Sequence, residues 1–361
     1  MNHFDAIARA KTRHSARDME AFVEAFVVEA RPNWPVFAIV AAYAGVAWLL
    51  CFVLGRLDFY HPLLYMPLSF GTMTTVAGLY VLLVETPQAV IAEPLTPMAA
   101  LLRRLKTRGR PEFLVSLGVF LAAGLFTSIF TCMKSLLNEV VPFHSDAVLA
   151  KLDTALFFGH DPWRLLSPLI DNRAAIRIIQ NLYLTGWLLA LVGFVGAVSF
   201  AKGLRAIRLR FFLTYFTAWI VLGNLVAAAF MSAGPAFYAA LTGDRSRYGG
   251  LLGHLAFSKG LPNSSITMQH ILWSDYTQGQ IAPGAGISAF PSLHVAMVTL
   301  FALTAFRIDR RLGIAMAFFA AVIFTGSVAL GWHYAIDGLV SAIFVSTAWF
   351  GIGALEPRRA A

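Results

Sequence analysis

Long apolar runs separated by short polar stretches dominate this chain. Runs near Val36–Leu54, Leu63–Val84, Glu112–Asn138, Asn181–Ala201, Phe211–Met231, Ser292–Phe306, Leu312–Leu330 and Ala335–Leu355 predict eight membrane-spanning helices. The sixth is shorter than the ~20 residues that cross a bilayer core of ~30 Å. Such a helix is expected to begin below the membrane surface, inside a polar pocket. The fold class that follows is all-α: a polytopic membrane protein with about eight transmembrane helices.

Composition agrees. Of 361 residues, 58% are hydrophobic and 13% charged, where soluble domains carry roughly 25% charged residues. A net charge of +9 would suit a nucleic-acid partner, but the basic residues are scattered between the apolar runs, and no nucleic-acid partner is expected. Their distribution encodes orientation instead. Segments 1–35, 85–111, 202–210, 307–311 and 356–361 hold 19 Lys and Arg, and the longer alternate loops at 55–62, 139–180, 232–291 and 331–334 hold 8. The positive-inside rule therefore puts both termini in the cytoplasm and the two long loops outside. Cys51 and Cys132 lie within apolar runs and read as small core residues.

The chain divides into a cytoplasmic amphipathic segment at 1–35, a transmembrane helix pair at 36–84, a basic cytoplasmic linker at 85–111, a six-helix core at 112–355 and a cytoplasmic tail at 356–361. The first 31 residues show no signal-peptide core. Met19, Phe22, Val23, Phe26 and Val27 recur at helical spacing, which predicts an amphipathic packing helix along the inner surface. The run Arg103 to Arg110 in the linker suits anionic headgroups.

Two stretches bring ionisable residues to a membrane boundary, where they are costly without a role. Phe290-Pro291-Ser292-Leu293-His294 opens the sixth span, with Pro291 expected in the first helical turn and free N–H groups behind it that suit an oxyanion. Gly331-Trp332-His333-Tyr334-Ala335-Ile336-Asp337 opens the eighth. His333 and Asp337 stand four apart, so on a helix they share a face and the carboxylate holds the imidazole in one tautomer. Both stretches fall on the outer side. The arrangement suits phosphoryl transfer, with His333 attacking phosphorus and His294 protonating the departing oxygen. Zinc is the lesser alternative for these three residues, because no HExxH-like spacing accompanies them. No metal or other cofactor is expected, and His61, His144, His160, His254 and His270 read as ordinary surface residues.

Phe290 to His294 and the later Gly331-Trp332-His333-Tyr334-Ala335-Ile336-Asp337-Gly338-Leu339 resemble the second and third signature motifs of the phosphatidic acid phosphatase type 2 superfamily, usually PSGH and SR-x5-H-x3-D. The resemblance implies a six-helix core over residues 112–355. It also implies a metal-independent enzyme in which His333 becomes phosphorylated, Asp337 supports it and His294 acts as acid and base. Ser232 to Tyr238 is similar to a segment of the inositol phosphorylceramide synthase branch, which transfers phospho-headgroups between lipids, and Leu293 in place of the usual Gly points the same way.

The chain departs from the family in its cations. Gly326-Ser327 stands where the third motif has Ser-Arg, and the first motif's Lys and Arg-Pro find no counterpart beyond Gly234-Pro235. Replacement cations on the correct side are Lys134, Arg245, Arg247 and Lys259; the two arginines rank first because their planar forks grip two oxygens. Ser292 and Tyr238 are expected at the substrate with them. The Gly-rich stretches Gly243 to Gly250 and Pro283 to Gly286 suggest that 239–290 lies over the pocket. The function expected is phosphotransfer between a membrane lipid donor and an alcohol acceptor, at the periplasmic or exterior face of a bacterial inner membrane. Hydrolysis of the same lipids is the first alternative. A non-catalytic transporter or scaffold, motivated by the missing cations, is the second.

Overall fold

The computed structural model describes residues 19–107 and 110–355, and among them every regular element is helical. The helices, in chain order, are α1 (Met19–Val53), α2 (Met66–Tyr80, running on through Val81–Glu85 to Thr86–Ala92), α3 (Pro97–Thr107), α4 (Arg110–Val140), α5 (Asp146–Leu156) and α6 (Arg173–Phe200). There follow α7 (Lys202–Ala229), α8 (Ser246–Leu255), α9 (Ser265–Gln278), α10 (Leu293–Ile308), α11 (Arg310–Ala329) and α12 (Ala335–Ala354). Six of these, α1, α4, α6, α7, α11 and α12, are long and apolar enough to cross a membrane. The protein is an integral membrane protein.

The eight expected spans therefore meet six full-length helices, the broken helix α2 and the short helix α10. At 16 residues α10 is as abbreviated as its sequence indicated. Helices α6 and α7 begin well before the expected Asn181 and Phe211. Asn172 caps the start of α6 by accepting from Ala175 N at 3.1 Å. In α7 the basic residues stay helical because their side chains find acceptors: Arg208 Nε donates to Val198 O at 3.0 Å and Arg210 Nε to Trp349 O at 2.9 Å. Asp309 separates α10 from α11 and caps the latter, accepting from Arg311 N and Leu312 N at 2.8 and 3.0 Å.

The first span packs into the core. Val36, Val40, Tyr43 and Ala47 of α1 belong to the same buried core as Phe126 and Phe130 of α4, Phe216 of α7 and Phe301 of α10. Tyr43 also donates to Asn224 Oδ1 at 2.7 Å. Residues 19–30 continue into the first span as one helix, and Met19, Val23, Phe26 and Val27 are exposed. Most of that apolar stripe is exposed, Phe22 is half-buried, and Glu29 near its end pairs with Arg205 of α7 at 3.3 Å, so the segment expected as a packing helix extends α1. The linker forms α3, whose Arg103 and Arg104 pair with Glu93 and Glu85. Residues 1–18, 108, 109 and the tail 356–361 lie outside the described residues.

Candidate active site

Three loops meet at one end of the bundle, and a single helix carboxylate ties two of them. Asp146, in the first turn of α5, accepts from Ala233 N at 2.9 Å, Gly234 N at 2.8 Å and the Tyr334 hydroxyl at 2.9 Å. Backbone bonds complete the stitching: Ala289 N donates to Ser232 O at 2.8 Å and Ala236 N to Gly331 O at 3.0 Å. Gly234 sits at φ +92°, and a Cβ there would lie 2.6 Å from the Trp332 carbonyl oxygen, so only glycine fits. Two helical turns along α5, Asp153 accepts from Ala335 N and Ile336 N at 2.7 and 2.8 Å. These are N–H groups of the first turn of α12, which have no partner inside their own helix.

The expected pairing of His333 with Asp337 is present, but its cause is different from a shared helix face. Helix α12 begins at Ala335, and His333 lies ahead of its cap residue Tyr334. Asp337, in the first turn, reaches back to Tyr334 N at 3.1 Å, the return half of a capping box, and the same Oδ2 stands 3.2 Å from His333 Nδ1. His333 Nδ1 is also 2.7 Å from the Ala289 carbonyl oxygen. A carbonyl only accepts, so Nδ1 carries the proton and Nε2 keeps its lone pair. The other oxygen of Asp337 is buried without a partner.

His294 occupies the first turn of α10 behind the cap residue Ser292, whose Oγ accepts from Val295 N at 3.4 Å. Pro291 thus precedes the cap, two positions before the first helical residue and outside the turn expected for it. The His294 ring lies between two aromatics of α6: Tyr183, stacked at 4.5 Å between centroids, and Trp187 at 4.3 Å. Tyr183 lies within a π-helical turn at Leu182–Gly186, and Trp187 follows it directly. The His294 and His333 ring centroids are 6.3 Å apart.

Both histidines line a cavity of about 680 Å³. Along α4 it extends from Lys134 to Phe120, fourteen residues or ~21 Å of helix, a large fraction of the ~30 Å hydrocarbon core. Its wall is mainly apolar, with Tyr65, Leu68, Ser69 and Thr72 contributed by α2 and the preceding turn. Segment 239–290 folds into α8, α9 and a Gly-rich loop, and Met268, Leu272 and residues 282–289 cover one side of this space.

The remaining residues expected at the substrate divide sharply. Lys134 lines the cavity and makes no ion pair or hydrogen bond among the described residues. Arg245 and Lys259 are exposed outside it. Arg247 is held by Asp161, with Nε 2.9 Å from Oδ1, and by the Ala150 carbonyl and Thr154 hydroxyl. Burial works against its charge, but the Asp161 partner overcomes that and raises its pKa above the usual guanidinium value. Tyr238 is buried edge-on against Tyr248 at 5.2 Å, and neither it nor Ser292 lines the cavity. At Gly326, where the family has Ser, a Cβ would lie 2.8 Å from Ile179 Cγ2. The following Ser327 supplies its carbonyl to Trp332 N and His333 N at 3.0 and 3.1 Å and so shapes the histidine loop.

Sequence reasoning passed over Asp146, Asp153, Ala289, Tyr183 and Trp187. Only the aspartates left a signal: seven residues apart on a short helix, they share one face, and both are almost fully buried.

The site is thus an all-helical membrane bundle's tautomer-fixed imidazole and a second histidine, both lining one long, mainly apolar cavity. The sequence profile of the PAP2 superfamily matches residues 147–350, and the chain belongs to that family. The match covers both histidines, Asp337 and Asp153, begins one residue after Asp146, and leaves out α4 with Lys134. No curated protein and no solved structure matches the chain.

Proposed function

We propose that this protein transfers a phosphoryl or phospho-headgroup between lipids through a phosphohistidine on His333, at the extracytoplasmic face. The observation that carries the reading is the His333 tautomer: with the proton held on Nδ1 by Ala289 O and Asp337, Nε2 is the free nucleophile, and the residue opens onto the cavity. In the first half-reaction Nε2 attacks phosphorus, a P–N bond forms and the P–O bond to the leaving alcohol breaks. His294, as imidazolium, gives that oxygen its proton. In the second, an acceptor hydroxyl attacks phosphorus, its proton passes to His294, and the P–N bond breaks to restore His333.

Lys134 answers the missing basic cradle. It stands in the cavity with no carboxylate of its own, where a cation is needed for the charge that develops on the phosphoryl oxygens. The N–H groups of Leu293 and His294, at the positive end of α10, add to it. The cavity's depth suits an acyl or prenyl chain, and the distribution of 19 against 8 basic residues supports an outward-facing site. The similarity of Ser232 to Tyr238 to the inositol phosphorylceramide synthase branch favours an alcohol acceptor over water.

The test is to incubate purified protein with radiolabelled lipid phosphates and phospholipids, with and without lipid alcohols. New labelled lipid species support transfer, and free phosphate alone supports the phosphatase alternative. Neither product from any donor would leave the non-catalytic reading standing.

A further inference from the structure

Two charged side chains, and among the described residues only two, line the cavity besides its histidines: Lys134 and Asp275. They bear opposite charges, yet they form no ion pair with each other or with any other described group. Both flank one glycine. A Cβ on Gly286, at φ +85°, would lie 3.0 Å from Lys134 Cγ, and Asp275 shares a small recess with Gly286 and with Ser135, the residue after Lys134. Each is half-buried at the mouth of a mainly apolar space.

Opposite charges in such a setting attract strongly, because the local dielectric is well below that of water. A ligand that bears both charges and lies between them would satisfy the two groups at once. A phosphate diester with an ammonium group on its head is that ligand. Its phosphate falls to Lys134 and the histidines, and its ammonium to Asp275.

We infer that Asp275 is a specificity residue that selects a lipid with a zwitterionic, ammonium-bearing phosphodiester headgroup as donor. This rests on the proposed phosphotransferase reading for its chemistry, but binding can be measured apart from turnover. The probes are short-chain phosphatidylethanolamine, phosphatidylcholine and phosphatidylglycerol with identical acyl chains, titrated against detergent-solubilised His333→Ala protein and against the same protein carrying Asp275→Asn.

The expected result is at least about tenfold tighter binding of one or both ammonium lipids than of phosphatidylglycerol, equivalent to ~1.4 kcal/mol. Asp275→Asn, which keeps side-chain size at a half-buried position, should bring the ratio to within about twofold of unity. Preference for phosphatidylethanolamine alone identifies hydrogen bonding of a primary ammonium to the carboxylate. Equal preference for phosphatidylcholine identifies recognition by charge alone. Equal binding of all three lipids, or a preference that survives Asp275→Asn, overturns the inference. If the preference is present but the His333-intact protein turns over no lipid, the zwitterion site stands and the phosphotransferase reading fails.

Discussion

His333 Nδ1 lies 2.7 Å from the carbonyl oxygen of Ala289, closer than the 3.2 Å that separates it from Asp337. The backbone of the loop before α10 therefore fixes the tautomer of a side chain held before α12. A carbonyl is a one-way partner, so this control survives changes at the carboxylate.

That relationship sets the expectation for Asp337→Asn. The amide oxygen still accepts from Tyr334 N, and Ala289 O still holds the Nδ1 proton, so folding and tautomer persist while the negative charge is lost. We expect kcat to fall about 10²-fold with KM within a few-fold, at the low end of the range for a proton-transfer partner because no tautomer is lost. Steady-state kinetics on the purified variant measure this, and an unchanged kcat would show that the pairing is purely structural.

Asp153→Ala removes the acceptor of one buried and one part-buried N–H group at the start of α12. Each orphaned donor costs about 1–3 kcal/mol. The variant should unfold several degrees below the parent in a thermal melt, and activity should fall because α12 carries Asp337. Asp153→Asn, which retains one acceptor oxygen, should recover part of both losses. A melt identical to the parent's would contradict the capping role.

Much of the architecture was legible because apolar periodicity reports burial in lipid directly. The long apolar helices between 112 and 355 and the short α10 could be read from it, whereas α5, α8 and α9 lie in what read as outer loops. The His333–Asp337 spacing was also legible, though through a capping box instead of a helix face. The cation ranking was not. Arg247 looked free in the sequence, and its partner Asp161 is 86 residues away, a pairing that no local pattern encodes. Lys134 was among the candidate cations but ranked behind the two arginines, whereas its position beside Gly286 brings it to the two histidines' cavity. Asp146 and Asp153 fell in what read as a loop, because their function is to satisfy backbone groups roughly 90 and 180 residues downstream.

The cations separate by single substitution. Lys134→Gln should lower kcat/KM for an anionic lipid substrate about 10²-fold, the scale of losing one preorganised electrostatic donor. Lys134→Arg should restore part of it. Arg245→Gln and Lys259→Gln, both exposed outside the cavity, should stay within about twofold of the parent. Arg247→Gln should instead lower the melting temperature, because it frees Asp161 and the Ala150 carbonyl. Activity that tolerates Lys134→Gln but collapses in Arg245→Gln would move the phosphate away from α4.

The central claim is a covalent bond between phosphorus and His333. It is tested most directly by quenching the purified protein during turnover of a ³²P-labelled lipid donor and mapping the label to a residue by peptide mass spectrometry. The account predicts an acid-labile, base-stable phosphoramidate on His333. It should be absent in His333→Ala. In His294→Ala it should form slowly from lipid donors but at near-normal rate from donors whose leaving group needs no proton. Label on any other residue, or the same labelling in His333→Ala, would contradict it.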